Sequence, residues 1–114
     1  MGKVLLTLLL ACALFAGPLS AQKYDFNPGC QQAWNSVIMF RFDEARQLIR
    51  KEQAFDPGNL MPVYIENYID FLTLFTGEEK AWFDQVRNNK EIRLDKLSKG
   101  DKSSPMYRFC LADV

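Results

Sequence analysis

Histidine is absent from this chain of 114 residues. Its absence removes the most common general base and the most common neutral metal ligand. The sequence also lacks a glycine-rich phosphate loop and an acidic calcium-binding loop. Two carboxylate pairs, Asp43/Glu44 and Glu78/Glu79, stand near expected helix N-termini, where the helix dipole accounts for them. We therefore expect no enzymatic activity, no cofactor, no bound metal and no small-molecule substrate.

An excess of charge of one sign is also lacking, because 14 Lys and Arg residues balance 14 Asp and Glu residues. The basic residues are scattered along the chain, so they form no patch that would attract nucleic acid. Acidic residues likewise form no patch for a cationic partner. The composition therefore predicts that nucleic acid is not a partner.

An uninterrupted stretch long enough to span a membrane is missing. The apolar run from Val4 to Ala16 is shorter than the roughly 20 residues that a membrane-spanning helix needs. It follows Lys3, and the small residue Ala21 precedes Gln22, a pattern that is typical of a cleaved signal peptide. We expect residues 1–21 to be removed between Ala21 and Gln22, and the protein to be exported to the periplasm or cell envelope.

The string Leu9-Leu10-Ala11-Cys12 supports an alternative fate for the N-terminus. Bacterial lipoprotein signals end in a short box of apolar and small residues before a cysteine that receives lipid. In that case the protein is anchored to a membrane through Cys12, which would make the membrane its partner.

Cysteine is scarce in the exported part. Removing residues 1–21 leaves 93 residues, takes away Lys3 and so leaves a net charge of −1, with Cys30 and Cys110 as the remaining cysteines. An oxidising compartment would allow these two to pair. Stacked neighbouring helices lie roughly 8–10 Å apart, however, and a disulfide requires Cα atoms within about 7 Å. Because the two cysteines stand about two repeat steps apart, we expect free thiols.

Strand signals are missing as well, since no segment alternates cleanly and no Asn-Gly or Asp-Gly hairpin turn occurs. Helical spacing of apolar residues is present instead. Asn27-Pro28 and Ser104-Pro105 each provide a capping residue followed by proline at the first helical position. The expected helical segments are 28–40, 43–54, 60–75, 78–99 and 106–114. The spacing leaves open whether 78–99 is one bent helix or two.

The segment 60–75 is apolar around most of its circumference, which predicts a helix covered on more than one side. We place it at the centre of the domain. Exposure of part of its face as a binding surface is the alternative. Glu66 and Asp70 lie four residues apart on its polar face, where we expect a solvated stripe rather than a cation site.

The string FDEA…DPGN resembles the second helix of a tetratricopeptide repeat. That family places an aromatic residue, a small residue, a large apolar residue and a proline where this chain has Phe42, Ala45, Ile49 and Pro57. In the preceding helix the resemblance is carried mainly by Ala33. The small side chains would let the paired helices approach closely, and the proline would end the second helix.

The resemblance implies an all-α fold of antiparallel helical hairpins stacked as a tetratricopeptide-like solenoid. After a lead-in at 22–27, the domain would span 28–114: a first hairpin at 28–59, a second at 60–100 and the start of a third at 104–114. Glu52 departs from the family pattern, which has a small residue there, and a small irregular helical bundle is the alternative. Because such repeats need about three units to bury their faces, we expect the N-terminal portion of a longer protein.

The function implied is a non-enzymatic protein-interaction scaffold of the cell envelope that binds a protein or peptide. Partner-binding candidates come from the first helix of each hairpin: Trp34, Asn35, Tyr64 and Tyr68. Such residues more often belong to a core than to a binding surface. The alternatives are a capping fragment without a binding role and a small secreted helical factor.

Overall fold

The computed structural model describes residues 22–77 and 80–114, and these residues form five α-helices. The helices are α1 (Pro28–Ile38), α2 (Phe42–Phe55), α3 (Met61–Thr76), α4 (Lys80–Ser98) and α5 (Pro105–Asp113). Within these ranges the only extended pairing is an isolated bridge between Lys23 and Asn59. The predicted all-α class is therefore confirmed. The expected cleavage after Ala21 and the alternative lipidation of Cys12 concern residues outside the described ranges.

The capping residues expected from the sequence start two of the helices. Asn27 accepts a hydrogen bond of 2.9 Å from the backbone N–H of Cys30, and Ser104 accepts one of 3.3 Å from Met106. Each satisfies a donor that has no partner within its helix. α2 differs, because it begins at Phe42, one residue before the expected Asp43, and its capping position Arg41 makes no side-chain bond.

A tight reversal joins α1 to α2. Phe40 has a left-handed backbone with φ of 59°. The N–H groups of Phe40 and Arg41 bond the carbonyls of Val37 and Ser36 at 2.9 and 2.8 Å. This is the Schellman pattern that ends helices, here with phenylalanine where glycine is usual. Because the connection is so short, α1 and α2 lie antiparallel and form a hairpin.

The helices then stack in chain order. α1 packs on α2 and α3, α2 also packs on α3, α3 packs on α4, and α4 packs on α5. α3 is central, as expected, and most of its N-terminal half from Met61 to Ile65 is buried. α4 is one continuous helix, which answers the question left open for 78–99. Among the described residues, no helix combines the length and the hydropathy of a membrane span.

The N-terminal segment, residues 22–27, binds across the turns at one end of both hairpins. Lys23 exchanges backbone hydrogen bonds with Gly58 and Leu60 at 2.9 and 2.7 Å, and its ammonium lies 2.9 Å from the Asp56 carboxylate. The Asp101 N–H donates to the Gln22 carbonyl at 3.1 Å. What the sequence suggested was only a lead-in therefore connects the α2–α3 turn to the α4–α5 turn.

Tyr24 anchors this segment to the second hairpin. Its hydroxyl donates to the Leu97 carbonyl at the end of α4. Its ring lies so close to Gly100 that a Cβ there would stand 2.5 Å from Tyr24 Cε2 and 2.7 Å from Leu60 Cδ1. Glycine at position 100 therefore makes the space in which the tyrosine ring sits.

We predict that Tyr24→Phe lowers the free energy of unfolding by about 1 kcal/mol, because it removes one partly buried hydrogen bond and leaves the ring in place. Tyr107→Phe is the matched control: the Tyr107 ring meets Tyr24 edge-on, but its hydroxyl makes no hydrogen bond within the described residues. Urea denaturation of the two variants measures the difference. Equal stability of both variants would show that the Tyr24 hydroxyl does not hold the segment.

Candidate functional site

Aromatic side chains from the first helices of successive hairpins form a continuous row. Trp34 on α1 has its ring centroid 4.8 Å from that of Tyr68 on α3 and 6.0 Å from that of Tyr64. Tyr64 in turn lies 5.8 Å from Phe109 on α5, and Tyr68 lies 5.6 Å from Phe71. We call these five residues the aromatic row. It runs across α1, α3 and α5 on one side of the molecule.

Three of the four partner-binding candidates belong to this row, and they differ in accessibility. Trp34 and Tyr68 are half-buried, whereas Tyr64 is buried and its hydroxyl donates to Asp113 Oδ2 at 2.7 Å. Asn35 is exposed on α1 and is not part of the row. The structure thus brings Trp34, Tyr64 and Tyr68 together, with Tyr64 serving the packing of α3 against α5.

A groove of about 520 Å³ opens beside the aromatic row, between the C-terminal half of α3 and the N-terminal half of α4. Its apolar walls are formed by Tyr68, Phe71 and Leu74 on α3 and by Phe83 and Val86 on α4. Successive wall residues on each helix stand three positions apart, so each helix presents one face to the groove. Phe71 and Phe83 remain 51% and 53% exposed.

The position of the groove follows from the way α5 packs. α5 lies against α4 and meets α3 through Tyr64, Phe109 and Asp113. Asp113 and Val114, at the C-terminal end of α5, line the groove. α3 and α4 therefore contact α5 along one part of their length and form the walls of the groove along the next part.

Basic residues occupy the α4 side of the groove. Arg87 and Lys90 line it and are exposed, and within the described ranges neither forms an ion pair. The acidic residue at the groove, Asp113, already accepts a hydrogen bond from Tyr64. The α4 edge of the groove is thus positive, and the carboxylate of Asp113 lies at the α5 edge.

The sequence reasoning missed the groove residues of α4 and the more exposed part of α3. Phe83 and Val86 fall within the helical segment expected at 78–99, but its apolar spacing does not mark them as groove residues. The available signal was the apolar circumference of the third helical segment, since such a helix needs cover on several sides. That signal does not tell which part of the helix stays uncovered.

Glu66 and Asp70 do not form the solvated stripe that we expected. Both pair with Arg93 of α4: the guanidinium Nη1 contacts Asp70, and Nε lies 4.0 Å from Glu66. The side chains of Arg93 and Asp70 are only 13% and 8% exposed, and Asn89 also donates to Asp70 at 3.4 Å. These carboxylates therefore join α3 to α4. Among the described residues, no cluster of potential ligands suits a metal ion.

Glu52, the departure from the repeat pattern, is buried and hydrogen-bonded. Its Oε1 accepts from the Asn27 amide and, at 3.4 Å, from the Asn59 amide. Its other oxygen lies where a Cβ on Gly29 would be only 2.7 Å away. Because Gly29 on α1 has no side chain, it leaves room for the carboxylate of Glu52 on α2. In the repeat pattern, a small residue on α2 would leave that room instead. The glutamate links the end of α2 to the start of α1 and to the α2–α3 turn.

The five residues that carried the family resemblance occupy different environments. Ala33, Ala45 and Ile49 lie in the core. Phe42 is half-buried, with its ring 5.6 Å from that of Phe40. Pro57 is exposed in the turn that follows α2. Gln22, on the far side of the expected cleavage point, is exposed and uses its carbonyl to bind Asp101.

Both cysteines of the described chain are buried free thiols, as expected. Burial raises the pKa of Cys30 to about 12, and the negative charge of Glu52 acts in the same direction. Burial raises the pKa of Cys110 to about 11, and Asp113 adds to the effect. Because the thiolate is the nucleophile, neither cysteine is suited to catalysis at neutral pH.

Comparison of the chain with protein-family models, with curated proteins and with solved structures gives no match. The functional argument therefore depends on the geometry of the groove and the chemistry of its residues.

We predict that Arg93→Met lowers the free energy of unfolding by about 3–5 kcal/mol, because it leaves the buried Asp70 carboxylate without its partner. Adding Asp70→Leu to that variant should recover most of the loss. Lys99→Met is the control, since it removes an exposed pair with Asp95 at 2.8 Å and should cost less than about 1 kcal/mol. Guanidinium denaturation compares the three. Similar losses for Arg93→Met and Lys99→Met would contradict a structural role for the buried pair.

We also predict that iodoacetamide at pH 8.5 labels Cys30 and Cys110 at least tenfold more slowly in the folded protein than in urea, because burial both hinders access and keeps the thiols protonated. Peptide mapping by mass spectrometry measures each site. Rapid labelling of either cysteine in the folded protein would mean that its helix opens readily.

The same pKa shifts predict how stability depends on pH. Both thiols have folded pKa values above the reference value of 9.0, so above pH 9 the unfolded chain loses these protons before the folded chain does. The free energy of unfolding should therefore fall as pH rises from 9 toward 11. Replacing both cysteines by alanine should reduce this slope, which thermal denaturation across that pH range measures.

Proposed function

We propose that the protein is a non-enzymatic interaction scaffold that binds an apolar segment of another protein in the groove between α3 and α4. The observation that carries the proposal is the groove itself, in which Phe71 and Phe83 stay half-exposed between two packed helices. Contiguous exposed apolar surface of this kind marks interaction sites in soluble proteins. Aromatic residues are also the side chains that dominate binding energy at interfaces.

The walls of the groove are held in a defined geometry before any partner binds. Asp70 on α3 pairs with Arg93 on α4. Asp70 immediately precedes the wall residue Phe71, and Arg93 follows Lys90 by three residues. Trp34 of α1 packs against Tyr68, whose ring in turn packs against that of Phe71. Preformed walls lower the ordering cost of binding, which favours recognition of a segment rather than nonspecific adhesion.

The cellular setting belongs to the same proposal. The signal-peptide pattern of residues 1–21 supports a location in the periplasm or cell envelope. The resemblance of residues 28–59 to a tetratricopeptide repeat supports a scaffold role, because proteins built from stacked helical hairpins commonly present a surface to other proteins.

We predict that peptides selected from a random displayed library on the folded protein bind at least tenfold more weakly to Phe71→Glu. A charge at this position would have to be desolvated against Leu74 and Phe83, and a hot-spot contact is worth about 1.4 kcal/mol or more. Fluorescence anisotropy with the selected peptides measures the affinities. Because Phe71 is half-exposed, the variant should fold, and circular dichroism checks this.

Phe55→Glu is the matched control. Phe55 ends α2, is 82% exposed and lies outside the groove, so the same substitution there should leave peptide affinity within about twofold. Selected peptides that bind wild type, Phe71→Glu and Phe55→Glu equally would show that the groove is not the binding site.

A further inference from the structure

We propose that the segment bound in the groove is an amphipathic α-helix whose polar edge is acidic. This inference rests on the proposed function and specifies its partner. Two features carry it: α4, one wall of the groove, already packs against a helix, and the two basic residues that line the groove form no ion pair with the described part of the chain.

The shape of the groove favours a helix over an extended chain. α5 packs against α4 and touches α3, and Asp113 and Val114 stand at the groove's edge. A helix placed in the groove would therefore pack on α4, as α5 does, and would meet α3 along Tyr68, Phe71 and Leu74. The wall residues Tyr68, Phe71 and Leu74 stand three positions apart on one face of α3, so they form a ridge against which the apolar anchors at i, i+3, i+4 and i+7 of a bound helix would pack.

The charges favour an acidic edge on that helix. Arg87 and Lys90 lie one turn apart on α4, at the side of the groove, and both are exposed. Their nearest apolar neighbour on α4, Val86, forms part of the wall. A helix seated on the wall would bring its flanking polar positions beside these two cations, and complementary charges there would set partner choice and orientation.

The opposite end of the groove agrees with this polarity. Asp113 lies there and accepts a hydrogen bond from the Tyr64 hydroxyl, and the negative charge of its exposed carboxylate would repel an acidic side chain. An acidic helix would be drawn toward α4 and away from Asp113. A basic helix would meet Arg87 and Lys90 as like charges.

Two synthetic helical peptides of 15 residues test the inference. Both carry leucine at positions 1, 4, 5, 8, 11 and 12, and their flanking polar positions are glutamate in one peptide and glutamine in the other. The wild-type protein should bind the glutamate peptide about fivefold more tightly than the glutamine peptide, the effect expected of two partly exposed ion pairs. Raising the salt concentration from 50 to 300 mM should remove most of this preference.

The variant Arg87→Gln/Lys90→Gln should bind both peptides with the affinity that wild type has for the glutamine peptide. Lys51→Gln/Lys102→Gln is the matched control: it removes the same charge from two exposed residues outside the groove and should keep the preference. Circular dichroism titration should show that the glutamate peptide gains helix content on binding.

Several results would overturn the inference. Equal affinity for the two peptides, or a preference that persists in Arg87→Gln/Lys90→Gln, would rule out the acidic edge. Failure of both peptides to bind would rule out a helical occupant, while library peptides sensitive to Phe71→Glu would still support the proposed function. A dimer in sedimentation analysis of the protein alone, lost in Phe71→Glu, would identify a second copy as the occupant instead.

Discussion

The burial of α3 is the constraint on which the other contacts depend. This helix is apolar on most of its surface, so it is stable only when neighbours cover it. α1, α2 and α4 pack against it, and α5 reaches it through Phe109 and Asp113. The cover is uneven along its length. Met61 to Ile65 are buried, whereas Phe71 and Phe75 are largely exposed. One helix thus forms the core at its beginning and the wall of the groove toward its end.

The two ends of the hairpins are stabilised by different interactions. At the end near the N-terminal segment, polar contacts join the turns: Glu52 binds the amides of Asn27 and Asn59, and Lys23 pairs with Asp56. Buried polar groups need such partners, because leaving one without a hydrogen bond costs more free energy than a hydrogen bond contributes. Toward the other end, the pair between Asp70 and Arg93 joins α3 to α4. This arrangement secures the stack at one end and leaves an apolar opening at the other.

The proposed use of the groove depends on this asymmetry. The buried ion pair joins the two helices that form the walls, and on α3 the ring of Phe71 packs against that of Tyr68. A partner helix would then bury apolar surface without first ordering the protein. The positive residues on α4 would contribute selectivity more than affinity, as charges at the rim of an interface usually do.

The sequence by itself determined the helical class, the order of the helical segments and the central place of α3, but not that α4 is a single helix. Capping residues and prolines act on their own neighbours in the chain, and the periodicity of apolar residues shows which face of a helix must be covered. Asn27 and Ser104 therefore mark helix starts without any knowledge of the fold. Only the tertiary structure decided that Glu66 and Asp70 face Arg93, that Glu52 is buried against Gly29, and that part of α3 stays open. These outcomes depend on contacts between residues far apart in the chain, and periodicity does not say which neighbour covers a face or where the cover ends.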